Sequence, residues 1–452
     1  MSQRLVFRHL LSPEGILNDC AIDVSTDGRI QAVKTLDTGR ETPDYDGWFA
    51  LPGIANAHSH AFQRAMSGFG ERPAGEDSFW SWREHMYRLA ARVDPEQMRV
   101  IAEQAFAEML ATGFTRVGEF HYVHHLPDGS RGPEMARAVA EAAENVGIGL
   151  RLLPVYYRKG GFDSEPGAGQ ARFVHRDLDG FLKLVESLKD LQPGIAPHSL
   201  RAVPPEELGE LVRAGRQLLG EDIPFHIHVS EQRREVVDCQ ARYGRSPVAV
   251  LADHVSLDSH WNLVHATHAG PDELRRVAEA GARVVLCPLT EAYLGDGLFA
   301  AAEFLDLEGR MAIGSDSNCR IDAVEELRLM EYGQRLRRQQ RLLLADSEAG
   351  LGAALWRMAA ETGGAACGEG SHGGRIEPGA RADLVVLDGN SPVFAGHGAE
   401  TALDALIIGG SRADIAEVHV GGNPMYERVQ ADAGPRREAF ANVVRKIYGE
   451  TR

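Results

Sequence analysis

The hydrophobic pattern changes character twice along the chain. Residues 1 to about 50 carry brief alternating runs, Arg4-Leu5-Val6-Phe7, Cys20-Ala21-Ile22-Asp23-Val24 and Ile30-Gln31-Ala32-Val33. Such runs read as short strands, and Asp27-Gly28 between the last two is a hairpin signal. From about 51 to 370 the period lengthens to that of helices separated by short apolar runs. Asp94-Pro95 opens a helix with a capping residue and a proline in its first turn. Met98, Ile101, Ala102, Ala105, Phe106 and Met109 form its apolar face, and Gly113 ends it before the strand Phe114–Gly118. The unit recurs. A helix over Pro205–Leu219 stops at Gly220 before Ile223–Val229, and one over Pro271–Ala280 stops at Gly281 before Arg283–Cys287. Met311–Gly314 is a further short strand. Helices are expected over 323–343 and 349–367, then strands at Ala382–Leu387, Ala405–Ile408 and Ile415–Val420, and a last helix from Pro435 to Arg452.

Repeated helix–glycine–strand units imply parallel strands. The expected fold is α/β: a (β/α)8 TIM-type barrel with a small β-sandwich domain formed from both chain ends. The expected divisions are residues 1–50 and 371–452 for the small domain, with the terminal helix, and 51–370 for the barrel. An open doubly wound sheet is the alternative, weakened by the absence of a G-x-G-x-x-G loop.

The length of 452 residues suits a barrel plus a smaller unit. A formal charge of −17, from 48 basic and 65 acidic residues, repels nucleic acid and anionic lipid. Neither is an expected partner, and an anionic substrate would need arginines gathered locally. Cys20, Cys239, Cys287, Cys319 and Cys367 are scattered without a C-x-x-C pair, which argues against a disulfide framework and a cysteine zinc site. The first residues lack the apolar region of a signal peptide, and no run approaches the roughly 20 apolar residues of a membrane span. A reducing cytoplasm is the expected compartment.

Polar residues collect where the predicted strands end, which is where a barrel builds its active site. His58 and His60 follow the run Trp48–Leu51 and its Pro52-Gly53 break; two positions apart on extended backbone, they share a side. His228 ends Phe225–Val229, with Glu231 three positions on. His265 ends Trp261–Val264, and Asp316 follows Met311–Gly314. Each alone has a plain alternative: a hydrogen-bonded core histidine for His226 or His228, a helix cap for Asp316, a solvated carboxylate for Glu231. Together they read as one divalent metal, zinc by choice of ligand, on His58, His60, His228 and Asp316 with a place left for water. A metal lowers that water's pKa towards neutrality. Asp316 would accept its proton, Glu231 would pass one to a leaving nitrogen, and His265 would polarise the group attacked. This is hydrolysis at a carbon bearing nitrogen.

Leu51-Pro52-Gly53 with Asn56-Ala57-His58-Ser59-His60 resembles the first-strand motif of the amidohydrolase superfamily. His228-Val229-Ser230-Glu231, Val264-His265-Ala266, Gly314-Ser315-Asp316 and Pro378–Leu387 are similar to further motifs of that superfamily, in the same order. Its dinuclear members carry a bridging lysine on the fourth strand. Pro193–Ser199 has none, so the resemblance implies a single metal ion. Relatives are commonly dimers, which implies a homodimer. Longer stretches, His60–Arg64, Ser78–Arg83, Glu119–Tyr122 and Ala196–Val203, resemble a branch that acts on a linear amidine bearing two carboxylates. That substrate calls for arginine, which pairs a carboxylate through two parallel hydrogen bonds. Arg201 and Arg83 are the expected carboxylate binders, with Gln63, Tyr122 and His198 on the head group. Arg83 could equally be a solvated side chain on an amphipathic helix. Glu291 stands where nucleobase-directed relatives usually have asparagine, which weakens a heterocyclic substrate. Two alternatives stay open: a mononuclear deaminase or chlorohydrolase acting on a heterocycle, and a non-catalytic barrel scaffold.

Overall fold

The computed structural model describes residues 3–37, 43–71 and 79–449. Four strands open the chain: β1 (Gln3–Ser12), β2 (Gly15–Val24), β3 (Ile30–Thr35) and β4 (Gly47–Pro52). β1 and β2 pair antiparallel, as do β2 and β3, while β4 runs parallel to β1. The hairpin at Asp27-Gly28 forms as expected. Gly28 has φ +79°, and a Cβ there would lie 2.9 Å from the backbone of Gly421, so only glycine fits.

Eight parallel strands follow in two sets. The first holds β5 (Ile54–Ser59), β6 (Phe114–His121), β7 (Gly149–Tyr156) and β8 (Ala196–Pro197), paired in that order. The second holds β9 (Phe225–Val229), β10 (Trp261–His265), β11 (Arg283–Leu286) and β12 (Arg310–Ile313). Isolated parallel bridges tie the sets at both edges, Ser59 to Asp316 on one side and Ile195 to Phe225 and Ser199 to His228 on the other. Small buried side chains, Ala57, Val264, Val285, Cys287 and Ala312, cluster among the strands.

The helices between strands start where local chemistry places them. Asp94 accepts the backbone N–H of Gln97 at 2.8 Å, and the Gln97 side chain accepts that of Asp94 at 3.1 Å. This reciprocal cap opens the helix Pro95–Ala111. The helix Pro205–Leu219 has the expected bounds.

The chain then returns to the first sheet through β13 (Leu384–Leu387), β14 (Ile415–Val420) and β15 (Asn423–Pro424). The result is one seven-stranded sheet, ordered β15-β14-β13-β4-β1-β2-β3, built from both chain ends. Phe7, Leu10, Cys20, Ile22, Ala50 and Leu384 share a small core on it.

Several expectations need correction. The helix expected over 323–343 spans Ala323–Arg338 and ends where Gln339 turns left-handed. Ala405–Ile408 is not a strand but part of the helix Ala399–Gly409. Its buried Ala399, Ala402, Leu403, Leu406 and Ile407 recur at helical spacing, and the helix packs against Gly350–Arg357 and Ala323–Arg338. A short apolar run reads alike for a strand and for a buried helix segment. The stretch 349–367 is helical but not uniform: a π-helical turn, Met358–Thr362, separates Gly350–Arg357 from Gly363–Ala366. The last helix starts slightly earlier than expected, at Ala433, and runs to Tyr448; residues 450–452 lie outside the described residues. Among the described residues no helix is long and apolar enough to cross a membrane.

Candidate active site

The carboxyl ends of the parallel strands converge on one buried cluster. His58 lies near the end of β5 and His60 just past it. The backbone N–H of Asp316 donates to the His58 carbonyl at 3.0 Å, and that of His60 to the Asp316 carbonyl at 2.9 Å. Asn56 reinforces the join, accepting from Ser315 N at 3.0 Å and donating to Ser315 Oγ at 2.6 Å. Gly314 is required there, because a Cβ would sit 2.6 Å from the His58 carbonyl oxygen. Ser230, His265 and Asp316 all have positive φ, at 53°, 68° and 44°. Strained non-glycine backbone of this kind gathers at functional sites.

The imidazoles are aimed by backbone carbonyls. His60 donates from Nδ1 to Phe120 O at 2.9 Å, and His228 from Nδ1 to His198 O at 3.0 Å. With Nδ1 so engaged, each ring turns its Nε2 to the centre. His228 Nε2 lies 3.0 Å from His58 Nε2. Asp316 Oδ1 lies 3.2 Å from His60 Nε2 and 3.5 Å from His58 Nε2. Donor atoms of His58, His60, His228 and Asp316 all fall within 4.8 Å of one another, and all four residues are buried. Lone pairs facing lone pairs in a buried space repel unless a cation lies between them, so these residues fit a divalent ion. Burial pushes His58 down to about 3 and His228 well below its ordinary value, keeping both neutral as ligation demands. Burial opposes ionisation of Asp316, so its carboxylate too calls for positive charge at the centre.

His265 faces the same centre, its Nε2 3.7 Å from Asp316 Oδ2. Its Nδ1 donates to Glu291 Oε1 at 3.2 Å, and Glu291 also accepts the Cys287 N–H at 3.0 Å. Burial opposes protonation of His265, but the bond to Glu291 and the charges of Glu231 and Asp316 raise it to about 10. Cys287 is close to Asp316 too, yet burial pushes its thiol well up, so it stays protonated and is a poor ligand.

A cavity of about 900 Å³ opens over this cluster. His60, His228, Asp316, His265, Glu231, Gln63, Arg83, Tyr122, His198 and Arg201 all line it, so all the expected site residues meet at one place, with His58 buried beneath. Gln63, in the turn after β5, donates to Tyr122 Oη at 2.7 Å. His198 Nδ1 meets Ser199 Oγ at 3.0 Å. Arg201 is buried and donates to Glu231 Oε2 at 3.1 Å, with Glu235 Oε2 at 3.9 Å. Arg83 belongs to the helix Phe79–Arg92, its guanidinium 5.4 Å above the Tyr87 ring. Ser78, the first residue of its motif, lies outside the described residues.

Glu291, noted in the sequence only as a departure from a pattern, is the partner of His265, a contact across 26 positions that no local spacing announces. Other wall residues were not singled out from sequence. Tyr157 follows the last residue of β7 and accepts from Gln170 at 2.6 Å; its place after a strand is a signal that could have found it. At the mouth, Arg242 on the helix Arg233–Tyr243 pairs with Asp163 at 2.6 Å.

The chain has relatives along its whole length. A formimidoylglutamate deiminase from Pseudomonas aeruginosa is 42% identical over 97% of both chains. A 5-methylthioadenosine/S-adenosylhomocysteine deaminase from Natronomonas pharaonis is 29% identical over 98% of both. The crystal structure of an amidohydrolase from Brucella melitensis superposes with a TM-score of 0.91 at 39% identity, covering 98% of this chain and 99% of that one. Residues 49–425 match the Amidohydrolase family, and the chain belongs to that family.

Proposed function

We propose that the protein hydrolyses N-formimidoyl-L-glutamate to N-formyl-L-glutamate and ammonia, a step of histidine degradation. The observation that carries this reading is the end-to-end similarity to the Pseudomonas aeruginosa deiminase. The buried Arg201 in the same cavity as the histidine–aspartate cluster supports it, since a glutamyl carboxylate requires such a cation.

A divalent ion, read as zinc, would be held by His58, His60, His228 and Asp316 and would supply a nucleophilic water at neutral pH. Asp316 keeps Oδ2 on the side of His265 and can accept the proton of that water there. His265 donates to the group under attack, steadied by Glu291. Glu231 carries a proton to the terminal amidine nitrogen, which leaves as ammonia while the C–N bond to glutamate stays intact. Arg201 and Arg83 bind the two carboxylates, and Gln63, Tyr122 and His198 orient the formimidoyl head.

The same reading takes the two parallel sets as one closed (β/α)8 barrel over residues 51–370, supported by the bridges at both edges. Residues 1–50 and 371–452 then form the small sandwich domain, supported by their shared sheet and core. Family resemblance supports a homodimer. The charge of −17 and five free cysteines support a cytoplasmic enzyme acting on a small molecule.

The test is ammonia release by metal-loaded protein with formimidoylglutamate, other formimidoyl amino acids, guanine, cytosine and S-adenosylhomocysteine. Turnover is expected with formimidoylglutamate. Deamination of S-adenosylhomocysteine or a nucleobase in its place would sink the proposal.

A further inference from the structure

The strands that carry the candidate active site at one end reach a second cavity at the other. Gly53 and Ala55 at the start of β5, Arg116 near the start of β6 and Arg151 in β7 line it, and its volume is about 310 Å³. The six-residue β5 separates it from His58 and His60 by roughly 15 Å along the strand.

Five arginines border this basal cavity: Arg29, Arg116, Arg151, Arg375 and Arg381. Only two carboxylates do, Glu369 and Asp383. Arg116 pairs with Glu369 at 2.7 Å, and Arg381 with Asp383 at 3.3 Å. Arg375 turns to Glu361 at 2.6 Å, outside the lining. Arg29 donates to Gly379 O at 2.8 Å, and its nearest carboxylate, Asp27, is 4.0 Å away. Arg151 donates to the carbonyls of Cys367, at 2.7 Å, and of Gln192 and Gly368. Among the described ion pairs Arg151 has no carboxylate. Arg99, on an outer helix, shows the contrast: it has Glu96, Glu103 and Glu141 within ion-pair distance.

The surplus is electrostatically expensive. Burial pushes the Arg151 guanidinium below its ordinary value, and the charge of Arg116 pushes the same way. A chain of net charge −17 has gathered cations against its own composition, as a pocket for an anion must. We propose that this basal cavity binds a compact dianion, a tetrahedral oxyanion or a short dicarboxylate, against Arg151, Arg29 and Arg381. Two negative charges match the two guanidiniums that meet only carbonyls at close range. The inference is independent of the reaction proposed above.

The test is calorimetric titration of metal-loaded protein with inorganic phosphate and, separately, succinate, at ionic strength held constant with sodium chloride. Saturable binding of at least one probe is expected. Phosphate alone would identify a tetrahedral oxyanion, succinate alone a dicarboxylate, and both the dianionic charge itself. Arg151→Met and Arg381→Met should each weaken binding about tenfold or more, equivalent to ~1.4 kcal/mol. Arg381→Met keeps the test open if loss of the Arg151 carbonyl bonds prevents folding. Arg201→Met, altered at the opposite end, should bind the probe as the parent does. No saturable heat with either probe, undiminished affinity in Arg381→Met, or loss of binding in Arg201→Met would each overturn the proposal.

Discussion

Among the described residues, two groups of buried histidines can be compared, and one of them fits a metal. His58, His60 and His228 bring Nε2 atoms together around the Asp316 carboxylate. His121, His124, His125 and His175 also crowd together, with ring centroids 4.9 Å apart for His124–His175 and 5.4 Å for His121–His124 and His125–His175. Yet among the described residues, both groups of donor atoms that converge within 4.8 Å contain Asp316. In the second cluster His124 and His125 donate from Nε2 to Val155 O and Val174 O, both at 2.8 Å. Its neighbouring charges are cations: Arg131, Arg158 and Arg172, the last donating to Ala90 O at 2.7 Å and Val93 O at 2.8 Å. Buried imidazoles are thus common to both places. What differs is a carboxylate at the centre and ring nitrogens aimed at one point. The first cluster offers a cation a charged cage; the second uses its rings to tie loops to strands.

The contrast can be broken at its centre. Asp316→Asn should remove the anion while keeping the size of the side chain. We expect activity to fall by about 10³-fold or more, the scale of losing a proton acceptor and a ligand together. Metal content by plasma emission spectroscopy should fall with it; full activity in the variant would remove Asp316 from the chemistry.

The next largest effect concerns the cation that faces the cluster. Arg201→Met leaves Glu231 and Glu235 without their guanidinium and takes away the proposed carboxylate anchor. The value of kcat/KM should drop by roughly 30- to 1,000-fold, or about 2–4 kcal/mol, with metal content unchanged. An unaltered kcat/KM would show that Arg201 serves the fold alone.

The second histidine cluster should respond through stability. His124→Phe keeps a ring but loses the bond to Val155 O, for an expected loss of about 1–3 kcal/mol in urea unfolding. Bound metal should stay as in the parent, and depletion would mean that the two clusters are coupled. The smallest effect is graded with pH. Burial lowers His121 and His175 to about 3. The unfolded chain therefore takes up protons that the folded chain refuses. Their contribution is fully present above the ordinary pKa of about 6.5 and is lost as pH falls from there towards 3. The slope is at most about 1.4 kcal/mol per pH unit for each histidine. Replacing His175 with glutamine should flatten the acid limb of a urea-midpoint profile; a profile of unchanged slope would argue against a buried neutral His175.

Much of the site was legible because its signals are short-range. His58 and His60 stand two apart at a strand end. Asp316 and His265 each follow an apolar run. The capping residues of Pro95–Ala111 are adjacent to the helix that they start. The run Ala405–Ile408 misled because its meaning depends on what it packs against, and that surface comes from helices some 50 to 80 positions earlier. Glu291 showed as a departure from a familiar pattern, but its bond to His265 could not be read from either residue's neighbours.

Periodicity and turn chemistry were determined by the sequence itself, since each depends on atoms within a few positions. Which histidines became a cage was decided by tertiary structure. The chain holds 18 histidines, and those of the cage and of the second cluster are alike in burial. Only the pairing of β5 with the end of β12 sets Asp316 beside His58 and His60. Only the carbonyls of Phe120 and His198 turn the rings of His60 and His228 so that their lone pairs meet. A metal site requires convergence within a few ångströms of groups that lie up to 258 positions apart, and that distance is closed by the fold.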